Sequence, residues 1–186
     1  IVSSVARALK LLEELRDSET GLGVNELARR LGVNASTASR LLATLEAAGI
    51  APSAGNLQAY EIIIVRDEAR KRALSQAALN QESLQQAPVV LAFFANPQRS
   101  AVRYRRRGSE LYAPQDATIA CAFAHLAATA LGLASVWVGA FDDDAVSNAL
   151  RAPPDWRPIA LLPIGFAAES PPATNRRPLE EIVHPV

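Results

Sequence analysis

Apolar positions recur at helical spacing through the first fifty residues. Val5, Leu9, Leu12 and Leu15 fall on one face of a first helix, which a glycine-containing break over 20–23 ends. Val24, Leu27, Ala28 and Leu31 repeat the pattern for a second helix, and Gly32 then allows a tight turn. A third helix, capped by Asn34 or Ser36, carries Leu41, Leu42 and Leu45 on one side and stops at Gly49.

Beyond residue 50 the period changes. The run YEIIIV over 60–65 is β-branched and aromatic, which predicts a buried strand, and 66–79 reads as a charged helix. A second buried strand is expected over 88–94, followed by a turn at Asn96-Pro97. The basic segment 103–108 reads as a solvated loop. Residues 116–131 form a long Ala-rich helix whose small side chains permit close packing, capped by Gly132. A strand over 135–138, a short helix over 142–150 with aspartates at its positive end, and a last strand over 159–164 complete the pattern. Helices alternating with strands define an α+β or α/β class with a covered sheet. No internal repeat appears.

Three short helices with a glycine turn before the third have helix-turn-helix geometry. The strings SVARALKLLEEL and ELARRLGVNASTASRLLATLEAAGI resemble the N-terminal domain of IclR-type regulators. That resemblance, over about residues 1–50, implies DNA contact through residues 24–48. The polar residues leading the third helix, Asn34, Ser36, Thr37, Ser39 and Arg40, would meet the major groove.

Charge weakens that expectation. Six basic and six acidic residues fall before residue 51 and thirteen of each after it, so neither part has the basic excess usual for a strong nucleic-acid binder. The chain can bury a core without disulfides, and its single cysteine, Cys121, lies in an apolar run that reads as a buried structural thiol. No membrane-type span or signal peptide stands out, so the expectation is a cytoplasmic protein with no membrane partner. The sequence starts at Ile1 and contains no methionine, which reads as a trimmed or engineered chain.

The string APSAGNLQ over 51–58 is the first candidate for chemistry. A proline and a glycine fix a loop that lets backbone approach a flat ring, and Ser53, Asn56 and Gln58 offer short donors and acceptors. It resembles the flavin-contacting loop of the FMN-dependent nitroreductase family. Further segments similar to that family follow in order: APVVLAFFANP, RGSELYAPQDATIACAFAHLAATALGLASVWVGAFDDDAV, PIALLPIGFAAE and RRPLEEIVH. The resemblance covers about residues 51–184. It implies a nitroreductase-like α/β sandwich core, a mixed sheet covered by helices, behind an N-terminal three-helix, winged-helix-like segment. Residues 1–50 and 51–186 would then be separate domains.

The same resemblance implies FMN as cofactor, NAD(P)H and a small electron acceptor as partners, and a homodimer with flavin at the interface. Pro52, Ser53, Asn56 and Gln58 would meet the flavin, often from the partner subunit. The backbone at Val138, Gly139 and Ala140 would approach the ring, and Arg176 or Arg177 would pair with the phosphate, a role suited to a guanidinium. Gln115 and Asp116 read as helix-start residues rather than ligands. The family's Arg-Arg-Ser-x-Arg segment upstream of the loop is absent; Arg29-Arg30 is the nearest basic pair.

The junction around residue 50 admits two parents. It reads as a nitroreductase helix entering its flavin loop, or as a recognition helix followed by a wing hairpin turning at residues 54–56. The overlap suggests a recombined chimera. Three functions stand open from the residues: an oxidoreductase whose catalysis is borne by flavin, a winged-helix regulator with a nitroreductase-like sensing domain, or a fold-hybrid without activity. No His, Cys and carboxylate cluster has metal-ligand spacing, and neither a G-x-S-x-G elbow nor a P-loop is present.

Overall fold

The computed structural model describes residues 34–184, so the first two expected helices lie outside the described residues. The first described helix, α1 (Ala35–Gly49), starts where Asn34 Oδ1 accepts from the Thr37 N–H at 2.8 Å. A 3-10 turn over Ala54–Asn56 leads into β1 (Tyr60–Val65). Helices α2 (Glu68–Ala77) and α3 (Ser83–Gln86) precede β2 (Val89–Ala95). Next come α4 (Pro97–Arg107), a π-type turn over Gly108–Tyr112, and α5 (Ala113–Ala130). The chain continues through β3 (Ala134–Ser135), α6 (Asp143–Leu150) and β4 (Arg157–Gly165).

The sheet order is β1-β2-β4-β3. Every pairing among the described strands is antiparallel, so the mixed sheet expected from the resemblance contains no parallel pair among these residues. β2 is buried along its whole length, and its period of two divides the core. Val89, Leu91 and Phe93 pack toward α1 and α5, against Leu41, Ala48, Ala120, Cys121 and Ala124. Val90, Ala92 and Phe94 pack toward α2 and α6, against Leu74, Val146 and Leu150. Helices therefore cover both faces, and the α+β class stands.

Burial of Cys121 pushes its thiol up to about 12, so it carries no thiolate at neutral pH and is the structural residue its neighbours implied. Among the described residues no helix is long and apolar enough to cross a membrane.

Four expectations change. The basic segment 103–108 is helical up to Arg107, because Asn96 and Pro97 are not a turn but the N-cap and first residue of α4; Asn96 Oδ1 accepts from the Arg99 N–H at 3.2 Å. The strand over 135–138 shortens to Ala134–Ser135 plus one bridge, Val138 to Leu161. No wing hairpin follows α1, since residues 50–59 contain no strand and β1 takes β2 as its partner. Finally, the boundary drawn at residue 50 divides one packed body. α1 places Leu41 and Ala48 in the same core as the sheet and α5, and Ala43 and Ala47 meet Ala127.

Candidate functional site

The loop over 51–59 runs from the end of α1 to the start of β1, and both of its ends are tied down. Tyr60 Oη donates to the Ala48 carbonyl at 3.0 Å, satisfying one of the orphan acceptors of α1. Burial, followed by the neighbouring Asp116 charge, raises the acidity constant of that phenol above its ordinary value. Asp116 provides the second tie. It is 2 % exposed in the first turn of α5, and its Oδ1 accepts from the Ala54 N–H at 2.9 Å while its Oδ2 accepts from the Ala59 N–H at 3.2 Å. One buried carboxylate thus spans the loop from below.

Within this clamp the backbone is left-handed at Gly55 (φ 58°), Asn56 (φ 56°) and Gln58 (φ 51°). Ser53 Oγ accepts from the Gln58 N–H at 3.0 Å, and Gln58 Nε2 donates to Asn56 Oδ1 at 3.2 Å. Pro52, Gly55, Asn56 and Gln58 are exposed and Ser53 is half-buried, so the loop presents its polar edge to solvent. Helix α4 walls one side. Arg99 Nε donates to the Leu57 carbonyl at 2.6 Å. A Cβ on Gly55 would sit 2.5 Å from Tyr104 Oη and 3.1 Å from Arg103 Nη1. Only glycine fits there, for steric as well as conformational reasons.

The other expected ligands lie elsewhere. Val138 is buried, and its N–H and carbonyl exchange hydrogen bonds of 3.0 and 2.9 Å with Leu161, whereas Gly139 and Ala140 are exposed. Val138 flanks β4 on the side away from β2, and the loop adjoins β1 at the opposite edge. Three strand spacings, about 14 Å, separate them across the sheet, and one chain does not bring them together. Arg176 donates to Thr174 Oγ1, and Arg177 pairs with Glu181 at 3.2 Å, both within the exposed C-terminal segment.

The residues offered for DNA contact are largely enclosed. Every residue from 37 to 48 is buried or half-buried, and Arg40 lies 5.8 Å from the Phe166 ring centroid. Ser36 is exposed and donates to the Asn34 side chain; Thr37 and Ser39 are half-buried. Among the described residues no group of three His, Cys, Asp or Glu could hold a metal ion.

Sequence reading missed Asp116 as a loop clamp and α4 as the loop's wall. Asp116 looked like any first-turn acid, although its position inside an apolar helix (Ala113, Ala117, Ala120) was a signal that the carboxylate is buried and needs donors.

A helix-covered antiparallel sheet with a clamped, glycine-bearing polar loop beside it defines a class of small α+β proteins with an exposed ligand loop. The nitroreductase family model matches residues 73–166, and the model of the IclR helix-turn-helix domain matches residues 4–52. An NADH dehydrogenase of Thermus thermophilus is 34 % identical, over 75 % of this chain and 81 % of that protein. The NAD(P)H-dependent FMN reductase of Bacillus subtilis is 33 % identical over 75 % of this chain, which spans 61 % of that relative's length. The solved NADPH:FMN oxidoreductase of Vibrio harveyi superposes with a TM-score of 0.71 at 25 % identity, over 78 % of this chain and 66 % of that one. The chain belongs to the nitroreductase family.

Proposed function

We propose that the protein is an FMN-dependent oxidoreductase that takes electrons from NAD(P)H and passes them to a small nitroaromatic- or quinone-like acceptor. The observation that carries this reading is the clamped loop over 53–58, left-handed at three positions and facing solvent, on a chain of this family. Two of its similar proteins are named for FMN chemistry.

The residues present suit a flavin. Gly55 leaves a recess without a Cβ, Ser53 retains a hydroxyl hydrogen, and Asn56 retains its amide hydrogens. When bound, FMN supplies the hydride chemistry; the protein supplies binding, orientation and exclusion of water. Ser53, Asn56 and Gln58 would hold the ring's polar edge, with Pro52 against its face. Asp116 acts one step back, holding the loop's backbone in register. Because Gly139 and Ala140 stand at the far sheet edge, the site is completed by a second copy, which makes the active form a homodimer. Arg176 or Arg177 would meet the flavin phosphate only after leaving its present partner, Thr174 or Glu181.

Titrating FMN into the purified chain tests this reading. Saturable quenching of flavin fluorescence, with bleaching on NADH or NADPH addition, is the expected result. A protein that leaves added FMN fluorescence unchanged overturns it.

A second reading, a DNA-binding regulator, rests on the helix-turn-helix match over 4–52. Salt-sensitive binding to a palindromic duplex, lost in Arg40→Ala with flavin binding kept, would establish it. Such binding requires α1 to present a face that it now buries against α5 and the sheet.

A further inference from the structure

We propose that Arg99 and Arg103 of α4, with the Ser53–Gln58 loop they flank, form a binding site for a phosphate monoester dianion. The inference rests on the nucleotide-dependent reading above and assigns a role to residues outside it. Positions 99 and 103 are one helical turn apart and share a face, and that face meets the loop. Arg99 is tethered to the Leu57 carbonyl through Nε, which leaves its two Nη groups directed outward from a fixed stem. The Arg103 guanidinium lies 5.5 Å from the Tyr104 ring centroid and against the Gly55 recess.

Neither arginine has a carboxylate within ion-pair distance among the described residues, although acids stand nearby. Asp116 is buried and accepts from two backbone N–H groups, Glu61 accepts from Asn96 Nδ2 at 2.9 Å, and Glu110 pairs with Arg106. The Gly55 N–H also donates to nothing among the described residues. Two guanidinium groups and an open backbone N–H therefore converge on a recess kept clear by the missing Cβ. A solvated basic surface would not need the left-handed glycine, the tethered Arg99 or the buried clamp beneath them. Guanidinium forks bind a phosphate monoester in charge-assisted pairs, and a neutral ligand gains nothing from them. The dianion is either the terminal phosphate of FMN or the 2′-phosphate of NADPH.

Binding of four probes to the full chain and to Arg103→Ala separates these sources: FMN against riboflavin, and NADPH against NADH, by calorimetry at two salt concentrations. Arg103 is exposed, so the variant should melt with the parent. The expected result is a roughly 10- to 100-fold loss for the phosphorylated member of one pair, with its unphosphorylated analogue unchanged and a shallower salt dependence. A loss in the FMN arm assigns the flavin phosphate; a loss in the NADPH arm assigns the 2′-phosphate. Equal losses within both pairs, or none, overturn the proposal. Riboflavin and FMN both failing to bind the parent overturns the flavin reading instead, and the NADPH pair then still decides the arginine site.

Discussion

Asp116→Ala should cost about 3 kcal/mol of stability and most of the flavin affinity. The carboxylate is buried and satisfies two N–H groups, those of Ala54 and Ala59, from opposite ends of one loop. Alanine leaves both donors without an acceptor, and a buried unpaired donor costs about 1–3 kcal/mol. That loss lowers the melting temperature by roughly 6–12 °C for a chain of this size, within the reserve of an ordinary domain. The effect on binding follows from geometry. Left-handed backbone at Asn56 and Gln58 is unfavourable for these residues and persists only while the surrounding contacts impose it. Asp116→Asn should fall between, because Oδ1 can still serve Ala54 while an amide NH₂ would face the Ala59 N–H. Thermal unfolding and FMN titration read the two effects together. A variant with parental melting and parental FMN affinity would sink the clamp.

Gly108→Val should unfold the corner between α4 and α5. A Cβ at this position would lie 2.5 Å from the Ser100 carbonyl oxygen and 2.7 Å from its carbon, so backbone rather than a flexible side chain stands in the way. Forcing extra atoms into packed surroundings costs about 1–3 kcal/mol, and the upper end applies here because neither strand of the contact can swing aside. The corner already holds a left-handed Arg105 at φ 50°. Urea unfolding gives the measure, with Gly49→Ala as the contrast. Nothing lies within 4 Å of a Cβ at Gly49, which closes α1, so that change should be neutral or slightly stabilising. Equal midpoints for the two variants would show that the close approach at Gly108 does not constrain the fold.

These two residues mark where local pattern stops being informative. Strand β2 was legible because a run of buried β-branched and aromatic residues has few other uses. The Ala-rich helix was legible for the same kind of reason, and so was the α6 start, where Asp142 Oδ1 accepts from the Ala145 N–H at 2.8 Å. Helix α4 was not legible as a helix. Its four arginines in five positions, 103 and 105–107, offer no apolar face, and the Asn-Pro pair that opens it also opens turns. The partners of Asp116 lie 62 and 57 residues away along the chain, and no spacing rule reaches that far.

The amino-acid order by itself determined the element sequence, the α+β class, the loop's glycine and polar edge, and the likeness to two families. Only the tertiary structure decided where the helix over Ala35–Gly49 belongs. Leu41, Thr44 and Ala48 make an apolar stripe that suits either a helix-turn-helix core or a sheet face. An amphipathic stripe specifies that a helix must be covered but not by what. Here β2 and α5 cover it, and the loop it feeds is thereby held over Asp116.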